Sequence, residues 1–552
     1  MSNREYSSRE YSNVIHTDVL VQLDTSRRKA LANLDDAKLN WFHFRTCIIS
    51  GVGFFTSAYD LFVINLVSNI LGYAYFSSDS IVPINLDTGI KTSAAIGNII
   101  GQILFGWMAD RYGRKKVYGI ELSIMIAATA GTALAANSFS MSMFAGIIFW
   151  RIILGIGVGG DYPLSAVITS EFAMKSRRGA MMALVFAMQG FGILTAGLVT
   201  MITLKVFESS IKQEVRYLDY VWRIVVGIGM IPATVVLYFR LTIPESPRYT
   251  MDVFGNIEKG AKNIERLLSN SKHIKNDKFE AFYLVETPKA SWKDFRDYFG
   301  KWKNGKILLG TCVSWFAIDV AFYGLSFNQG IIMQNATPNY LSFNDPYDTL
   351  YNIAFGNIIV TLLGTIPGYW CSVLLIDKLG RRSIQLMGFA VLTVLYLIIG
   401  FSYAIVTTSY QWIFVILFII SMFFTNFGPN TTTFIIPGEV FPTRYRCLGH
   451  GIAAASGKAG ALLSQLGVLL LKDTGGPNKF IDHLLELFAL VCFIGFLFSF
   501  LLPETKHKSL EENSNEIQEK FFTGYVSPEL RQPTIINVQT HFNGHVSFKS
   551  DS

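Results

Sequence analysis

Charge is scarce in this sequence. Lys, Arg, Asp and Glu make up 16% of its 552 residues, where a soluble globular chain carries about 25%. Cysteine is sparse and unpatterned as well. Cys47, Cys312, Cys371, Cys447 and Cys492 stand far apart, with no Cys-x-x-Cys pair and no metal-ligand spacing. Each therefore reads as a small apolar filler, and neither a disulfide framework nor a metal site is expected. The first 45 residues are polar, with Arg27, Arg28, Lys29, Asp35 and Asp36, and lack a short apolar core. That argues against a cleaved secretory signal and for a cytoplasmic N-terminus. What abounds is apolar: 51% hydrophobic residues, 14% aromatics and a mean hydropathy of +0.36. Disorder and an ordinary cytosolic enzyme of two or three domains are both excluded. The expected class is an all-α polytopic membrane protein.

Apolar stretches long enough to cross a hydrocarbon layer of ~30 Å fall near 46–71, 90–109, 116–136, 144–169, 180–204, 221–242, 307–333, 350–376, 384–405, 412–437, 448–471 and 482–502. Twelve spans are predicted, and 90–109 is the weakest because Lys91 and several polar residues open it. With the N-terminus inside, the short inner loops hold twelve basic residues, among them Arg111, Arg114, Arg178, Arg381 and Arg446, against six outside. This bias places both termini in the cytoplasm. The division expected is a cytoplasmic segment 1–45, a six-helix half 46–242, a cytoplasmic central loop 243–306, a second half 307–502 and a polar, disordered cytoplasmic tail 503–552. The central loop reads as a solvated linker with one or two amphipathic helices and no catalytic role. Asn335-Ala336-Thr337 is a weak glycosylation sequon on a predicted outer loop.

The halves repeat each other. Asp110-Arg111-Tyr112-Gly113-Arg114-Lys115 returns as Asp377-Lys378-Leu379-Gly380-Arg381-Arg382, displaced by 267. Glu171 with Arg178 returns as Glu439 with Arg446, and Pro244-Glu245-Ser246 as Pro503-Glu504-Thr505. Asp60 and Asp319 each follow a glycine by nine residues and lie 259 apart. Six spans have been duplicated, which fits a secondary transporter whose site lies between its halves at the bilayer midplane. In the repeated loops, carboxylates and guanidiniums can pair across the inner helix ends when that face closes, while glycine supplies the tight turn.

A charge inside a span is costly and points to function. Asp60, Asp161, Asp319 and Lys458 lie deep, whereas Arg151, Glu121 and Glu171 lie nearer span ends. Trp315, Asp319 and Tyr323 follow at i, i+4 and i+8 and share one helix face. Tyr162, Gln189 and Asn430 add uncharged hydrogen-bonding groups from three other spans. Converging with Lys458, they would suit a small oxyanion, and a carboxyl beside an anion must be protonated to avoid repulsion, which would couple binding to proton uptake. Two motifs mislead. The glycine run Gly155-x-Gly157-x-Gly159-Gly160 imitates a dinucleotide fingerprint, but no strand precedes it and small residues there serve close helix packing. Gly451…Gly457-Lys458 imitates a phosphate-binding loop with the wrong spacing and with Ala459 where Ser or Thr is required. No nucleophile–base pair stands out, so no enzyme and no cofactor are expected.

Gly159-Gly160-Asp161-Tyr162-Pro163-Leu164-Ser165, Phe427-Gly428-Pro429-Asn430-Thr431-Thr432-Thr433, Pro437-Gly438-Glu439-Val440-Phe441-Pro442-Thr443-Arg444, Trp315…Asp319…Tyr323 and Ser456-Gly457-Lys458 together resemble the phosphate:proton symporters of the major facilitator superfamily, over about residues 40–510. Fungal high-affinity phosphate transporters are the nearest kind. The resemblance implies the major facilitator fold and proton-coupled import of inorganic phosphate across a plasma membrane. It implies a phosphate site of Tyr162, Gln189, Trp315, Asp319, Tyr323 and Asn430, with Lys458 helping to neutralise the anion. Asp60 and Asp161 would belong to the proton route, with Asp319 and Glu121 as further proton-coupling candidates. The gating set is Asp110, Arg111, Arg114, Glu171, Arg178, Asp377, Arg381, Glu439 and Arg446. Phosphate, protons and the bilayer are the expected partners, no nucleic acid is expected, and no protein partner is identified. One departure is Ser57, where the family carries an aspartate; another is Ile193, where close relatives often carry Gln. Both keep open transport of a phosphate ester such as a glycerophosphodiester. A phosphate-sensing, transporter-like receptor is the remaining alternative.

Overall fold

The computed structural model describes residues 21–76, 81–268, 284–327, 329, 345–476, 479–516, 521–522 and 524–526. The sequon at 335–337, the end of the predicted seventh span and most of the tail lie outside the described residues. The bundle helices are α1 Trp41–Tyr75, α2 Ile84–Tyr112, α3 Ile120–Ala133, α4 Met143–Phe172, α5 Arg178–Val206 and α6, in two pieces, Leu218–Gly227 and Met230–Leu241. The second half supplies α7 Trp302–Phe327, α8 Pro346–Leu379, α9 Arg381–Thr408, α10 Gln411–Val440, α11 Arg446–Leu471 and α12 Ile481–Ser499. Among the described residues, ten of these are long and apolar enough to cross a membrane; α2 and α3 do not meet that standard. In α2 polar residues run along the helix: Asp87 and Lys91 pair at 2.8 Å near its start, and Asn98 and Gln102 lie buried within it. The third span loses length because Gly119, at φ 141°, breaks it after a short turn Arg114–Val117.

Two neighbouring helices approach where side chains are absent. A Cβ on Gly155 would lie 2.2 Å from Ala94 O and one on Gly159 2.5 Å from Asn98 O; from the other side Gly97 and Gly101 sit equally tight against the α4 backbone. Small residues four apart on both helices thus give the α2–α4 contact, as read from the glycine run.

Three helices are interrupted near mid-bundle. α8 contains a π-helical turn at Thr361–Thr365, α10 breaks at Phe427–Gly428, and α6 breaks at Ile228–Gly229. The broken backbone of α10 is satisfied internally: Asn426 O accepts from Ser372 Oγ at 2.8 Å and from Thr431 Oγ1 at 2.7 Å. Irregular backbone at membrane depth survives only where protein supplies such partners.

Outside the bundle, a helix over 21–35 and the helices Pro247–Asp252, Ile257–Leu268 and Trp292–Phe299 cover the end that carries the Asp110 and Asp377 loops, called here the basic end. Leu284–Glu286 pairs antiparallel with Gly524–Val526 in a two-stranded ribbon, a small exception to the all-α expectation. The reading of everything after 503 as a disordered tail needs correction over its described part. Glu504 accepts from the Arg381 and Arg382 amides at 3.0 Å, Glu511 pairs with Arg248, and Tyr298 donates to Ser514 O at 2.6 Å. Composition marks these residues as polar but cannot reveal that other segments hold buried partners for them.

A side chain at Gly159 has nowhere to go. Gly159→Val should therefore cost on the order of 2 kcal/mol of stability, read as a lower midpoint in thermal unfolding of the detergent-solubilised protein; an unchanged midpoint would refute the close α2–α4 contact.

Candidate functional site

Chain folding brings the deep charges of the second half together with aromatic and amide groups of both halves. Lys458 Nζ on α11 donates to Asp319 Oδ2 on α7 at 2.8 Å and to Tyr323 Oη at 2.9 Å. It also lies 4.3 Å from the centre of the Tyr323 ring and 5.2 Å from that of Tyr162, both within cation–π range. The Trp315 indole lies beside the same carboxylate, both crowding the Gly457 position. Gly457 makes this possible, since a Cβ there would meet Trp315 Cδ1 at 2.5 Å. From the first half, Gln189 Nε2 on α5 donates to Tyr162 Oη on α4 at 3.1 Å. Asn430 Nδ2 donates to Tyr369 Oη at 3.0 Å and to Asn426 Oδ1 at 2.8 Å. Phe186 and Phe434 stack 4.6 Å apart next to Tyr162, and Phe54 meets Phe434 edge-on. All seven residues expected at the substrate site are buried in this one region.

Sequence reasoning missed two members. Tyr369 lies eight residues before Asp377 on α8, two helical turns along the face that points to Asn430. His450, two turns before Lys458 on α11, sets its ring 5.3 Å from Trp315 and its Nε2 3.0 Å from Phe434 O. Helical spacing from a known site residue is the signal for both.

Apart from Asp319, the proton candidates lie inside the first half, away from this cluster. Asp161 Oδ1 and Glu121 Oε1 each pair at 2.7 Å with the Arg240 guanidinium, and Asp161 also accepts from Ser165 at 2.7 Å and from Ser57 at 3.4 Å. The Tyr118 ring covers Arg240 at 4.3 Å. Gly53 is the enabling residue, because any Cβ would collide with the guanidinium. Arg240 went unnoticed in the sequence since it lies near the end of a span, where a basic residue normally serves orientation. Asp60 stands apart: it accepts from Thr129 at 3.1 Å, and its Oδ1 has no hydrogen-bond partner among the described residues. Arg151 donates to the Asp60 main-chain oxygen at 3.4 Å and to Ile90 O at 3.0 Å.

The gating residues form a third group at the basic end, built symmetrically. Asp110 accepts from the Cys447 and Leu448 amides at 3.2 and 2.8 Å, so it caps α11 of the opposite half. Asp377 accepts from the Gly179 and Ala180 amides at 3.2 and 2.8 Å, capping α5 of the first half. A carboxylate at a helix N-terminus meets free N–H groups and the positive end of the dipole. Gly113 and Gly380, at φ 104° and 95°, turn the chain so that each loop reaches across. Glu171 joins Arg114 of its own half at 3.2 Å to Arg446 of the other at 2.8 Å. Glu439 holds Arg381 through two oxygens at 2.9 and 3.1 Å. Arg178 turns away to Asp35 at 2.8 Å. Arg111 does not join the group; exposed, it lies over the Trp107 and Tyr112 rings.

With this end closed, a narrow cavity remains between the halves on the other side of the site, lined by Phe62, Asn65, Ile193, Asn357, Thr361 and Thr365 among others. Ile193 is one turn beyond Gln189, and Thr365 one turn beyond Tyr369, so the cavity adjoins the site.

Two interlocked helical halves around a buried polar site define a membrane transporter of the alternating-access kind. The chain belongs to the major facilitator superfamily, within the family described as "Sugar (and other) transporter", which matches residues 46–517. It is 43% identical over 512 residues to the repressible high-affinity phosphate permease of Neurospora crassa, covering 89% of each chain. It is 43% identical over 514 residues to the inorganic phosphate transporter PHO84 of Saccharomyces cerevisiae, covering 88% of this chain and 86% of that one. Its fold resembles that of the proton:xylose symporter XylE with a TM-score of 0.67 at 21% identity, covering 86% of this chain and 98% of XylE.

Cys447 is fully buried beside Asp110. Asp110→Asn combined with Asp377→Asn removes the charge from both cross-half caps, so maleimide labelling of Cys447, followed by mass spectrometry, should become at least several-fold faster. Equal labelling would show that these carboxylates do not hold the end closed.

Proposed function

We propose that this protein imports inorganic phosphate with protons across the plasma membrane by alternating access. In this reading twelve spans cross the bilayer as halves 46–242 and 307–502, with the basic end, both termini and the segment 243–306 in the cytoplasm. Phosphate binds among Tyr162, Gln189, Trp315, Asp319, Tyr323, Asn430 and Lys458. The observation that carries the reading is the Lys458–Asp319 pair at 2.8 Å. An arriving anion competes with Asp319 for the Lys458 ammonium. A proton on Asp319 removes the competition, since a neutral carboxyl gives up the strong charge-assisted bond and leaves Lys458 to the phosphate. Asp161, Glu121 and Asp60 serve proton movement in the first half. The names of the fungal permeases, both phosphate carriers, support the choice of anion.

A second reading, transport of a phosphate ester, draws on Ile193, which gives the cavity beside the site an apolar wall. Competition of labelled phosphate uptake by glycerophosphodiesters separates the two: phosphate alone competes if the first reading is right.

Labelled phosphate uptake by expressing cells should rise as external pH falls and collapse with a protonophore; uptake indifferent to the proton gradient would contradict coupling. Asp319→Asn should reduce uptake at least tenfold with normal surface protein, and near-normal uptake would remove Asp319 from the mechanism. Ser57→Asp adds a third acid beside the single Arg240 guanidinium, so one more proton must be held there. Uptake by that variant should depend more steeply on external pH than that of the wild type; an identical profile would separate position 57 from the proton route.

A further inference from the structure

The segment leading into α7 carries a feature that transport does not use. The helix Trp292–Phe299 turns Tyr298 and Phe299 into a cluster with Ile307, Ile436, Phe441, Tyr445 and Leu502 at the basic end of the bundle. Its opposite face is left open. Trp292 is 81% exposed, and Trp302, the first residue of α7, is 68% exposed. Around these indoles stand Lys293, Arg296, Lys301 and Lys303, all exposed, with Lys289 shortly before them. Between 289 and 303 these five cations face one exposed acid, Asp297, because Asp294 is engaged by Arg444 at 2.7 Å. Trp292, Phe295 and Phe299 form the apolar wall of a shallow groove that Lys293 and Arg296 border.

We propose that this face binds anionic phospholipids of the cytoplasmic leaflet, with headgroups held by Lys293, Arg296, Lys301 and Lys303 and acyl chains lying against Trp292 and Phe295. Three observations converge. α7 is a membrane-length helix that begins at Trp302, so the groove sits where headgroups lie. Indoles prefer that depth, since one edge is apolar and the N–H is polar. A cluster of four or more Lys/Arg next to a span on the cytoplasmic side attracts the negative surface of that leaflet. A soluble protein partner would leave Trp292 and Trp302 facing hydrocarbon with no role, and a free phosphate ion would make no use of the apolar wall. The inference goes beyond phosphate import and takes from that reading only the cytoplasmic placement of the basic end. Anchored lipid here would bear on α7, the helix that carries Trp315, Asp319 and Tyr323.

The test uses the full chain in detergent, where sidedness is irrelevant, with phosphatidylserine or a phosphoinositide added against phosphatidylcholine. Native mass spectrometry should find anionic lipid retained at least tenfold more than the zwitterionic lipid. The combined variant Lys293→Gln, Arg296→Gln, Lys301→Gln, Lys303→Gln should lose that preference while keeping its unfolding midpoint. In liposomes, brominated acyl chains should quench wild-type indole fluorescence more than that of Trp292→Phe. Retention unchanged in the Gln variant overturns the proposal. So does loss of retention on adding millimolar inorganic phosphate, compared with chloride at equal ionic strength, and so does quenching that ignores Trp292.

Discussion

An unpaired charge in hydrocarbon is what this fold must avoid. Each deep ionic side chain costs about 2.5–3.5 kcal/mol on insertion scales, and removing one partner of a buried pair costs about 3–5 kcal/mol. The bundle meets the constraint by pairing: Lys458 with Asp319, and Arg240 with both Asp161 and Glu121. Among the described residues Asp60 and Arg151 are exceptions: Asp60 has a hydroxyl on one oxygen and no hydrogen-bond partner on the other, and Arg151 donates to main-chain oxygens. Pairing confers function as well as tolerance. In the proposed mechanism the Lys458–Asp319 pair, opened by a proton on one side and an anion on the other, is the coupling device.

The same constraint shapes the two ends differently. At the basic end, Asp110 and Asp377 each leave their own half to cap a helix of the other, and Glu171 bridges guanidiniums from both. These contacts can exist only while the halves are together there, so they define one of two states. The duplication preserved this clasp but not the interior. Ser499, at the repeat displacement from Arg240, joins Gln385 at 2.8 Å and Ser314 at 3.4 Å in an uncharged cluster. The first half therefore keeps its buried acids and their guanidinium, and the second keeps its single acid–ammonium pair.

Much of this was legible in the chain itself. Span lengths, the duplication and the deep charges are one-dimensional properties, and the seven residues expected around the substrate do meet. The misses have physical causes. Arg240 sits where a span meets water, so its long side chain, reaching back into the core, cannot be told from a snorkelling one. Its signal was indirect: Asp161 and Glu121 needed a cation. Tyr369 is one aromatic among several in α8, and His450 stands in a helix of small and aliphatic residues; each is distinguishable only by its turn relation, to Asp377 and to Lys458. Arg111 shows the reverse error, since a motif carried it into the gating set while its side chain faces outward. The order of residues 503–516 depends on Arg248, Arg381 and Tyr298, far away in the sequence, which no reading of local composition contains.

Ser57 gives the account its sharpest individual feature. Its hydroxyl points at Asp161, so a position where the resemblance implies an acid here supplies a hydrogen bond. In the proposed mechanism coupling then rests on the acids that remain, with Asp319 deciding whether Lys458 is free for phosphate. Proton flux itself tests this most directly: purified protein in liposomes containing a pH-sensitive dye, with phosphate added outside. The account predicts acidification of the lumen that follows phosphate and is absent in Asp319→Asn. Phosphate accumulation with no accompanying proton signal would contradict it.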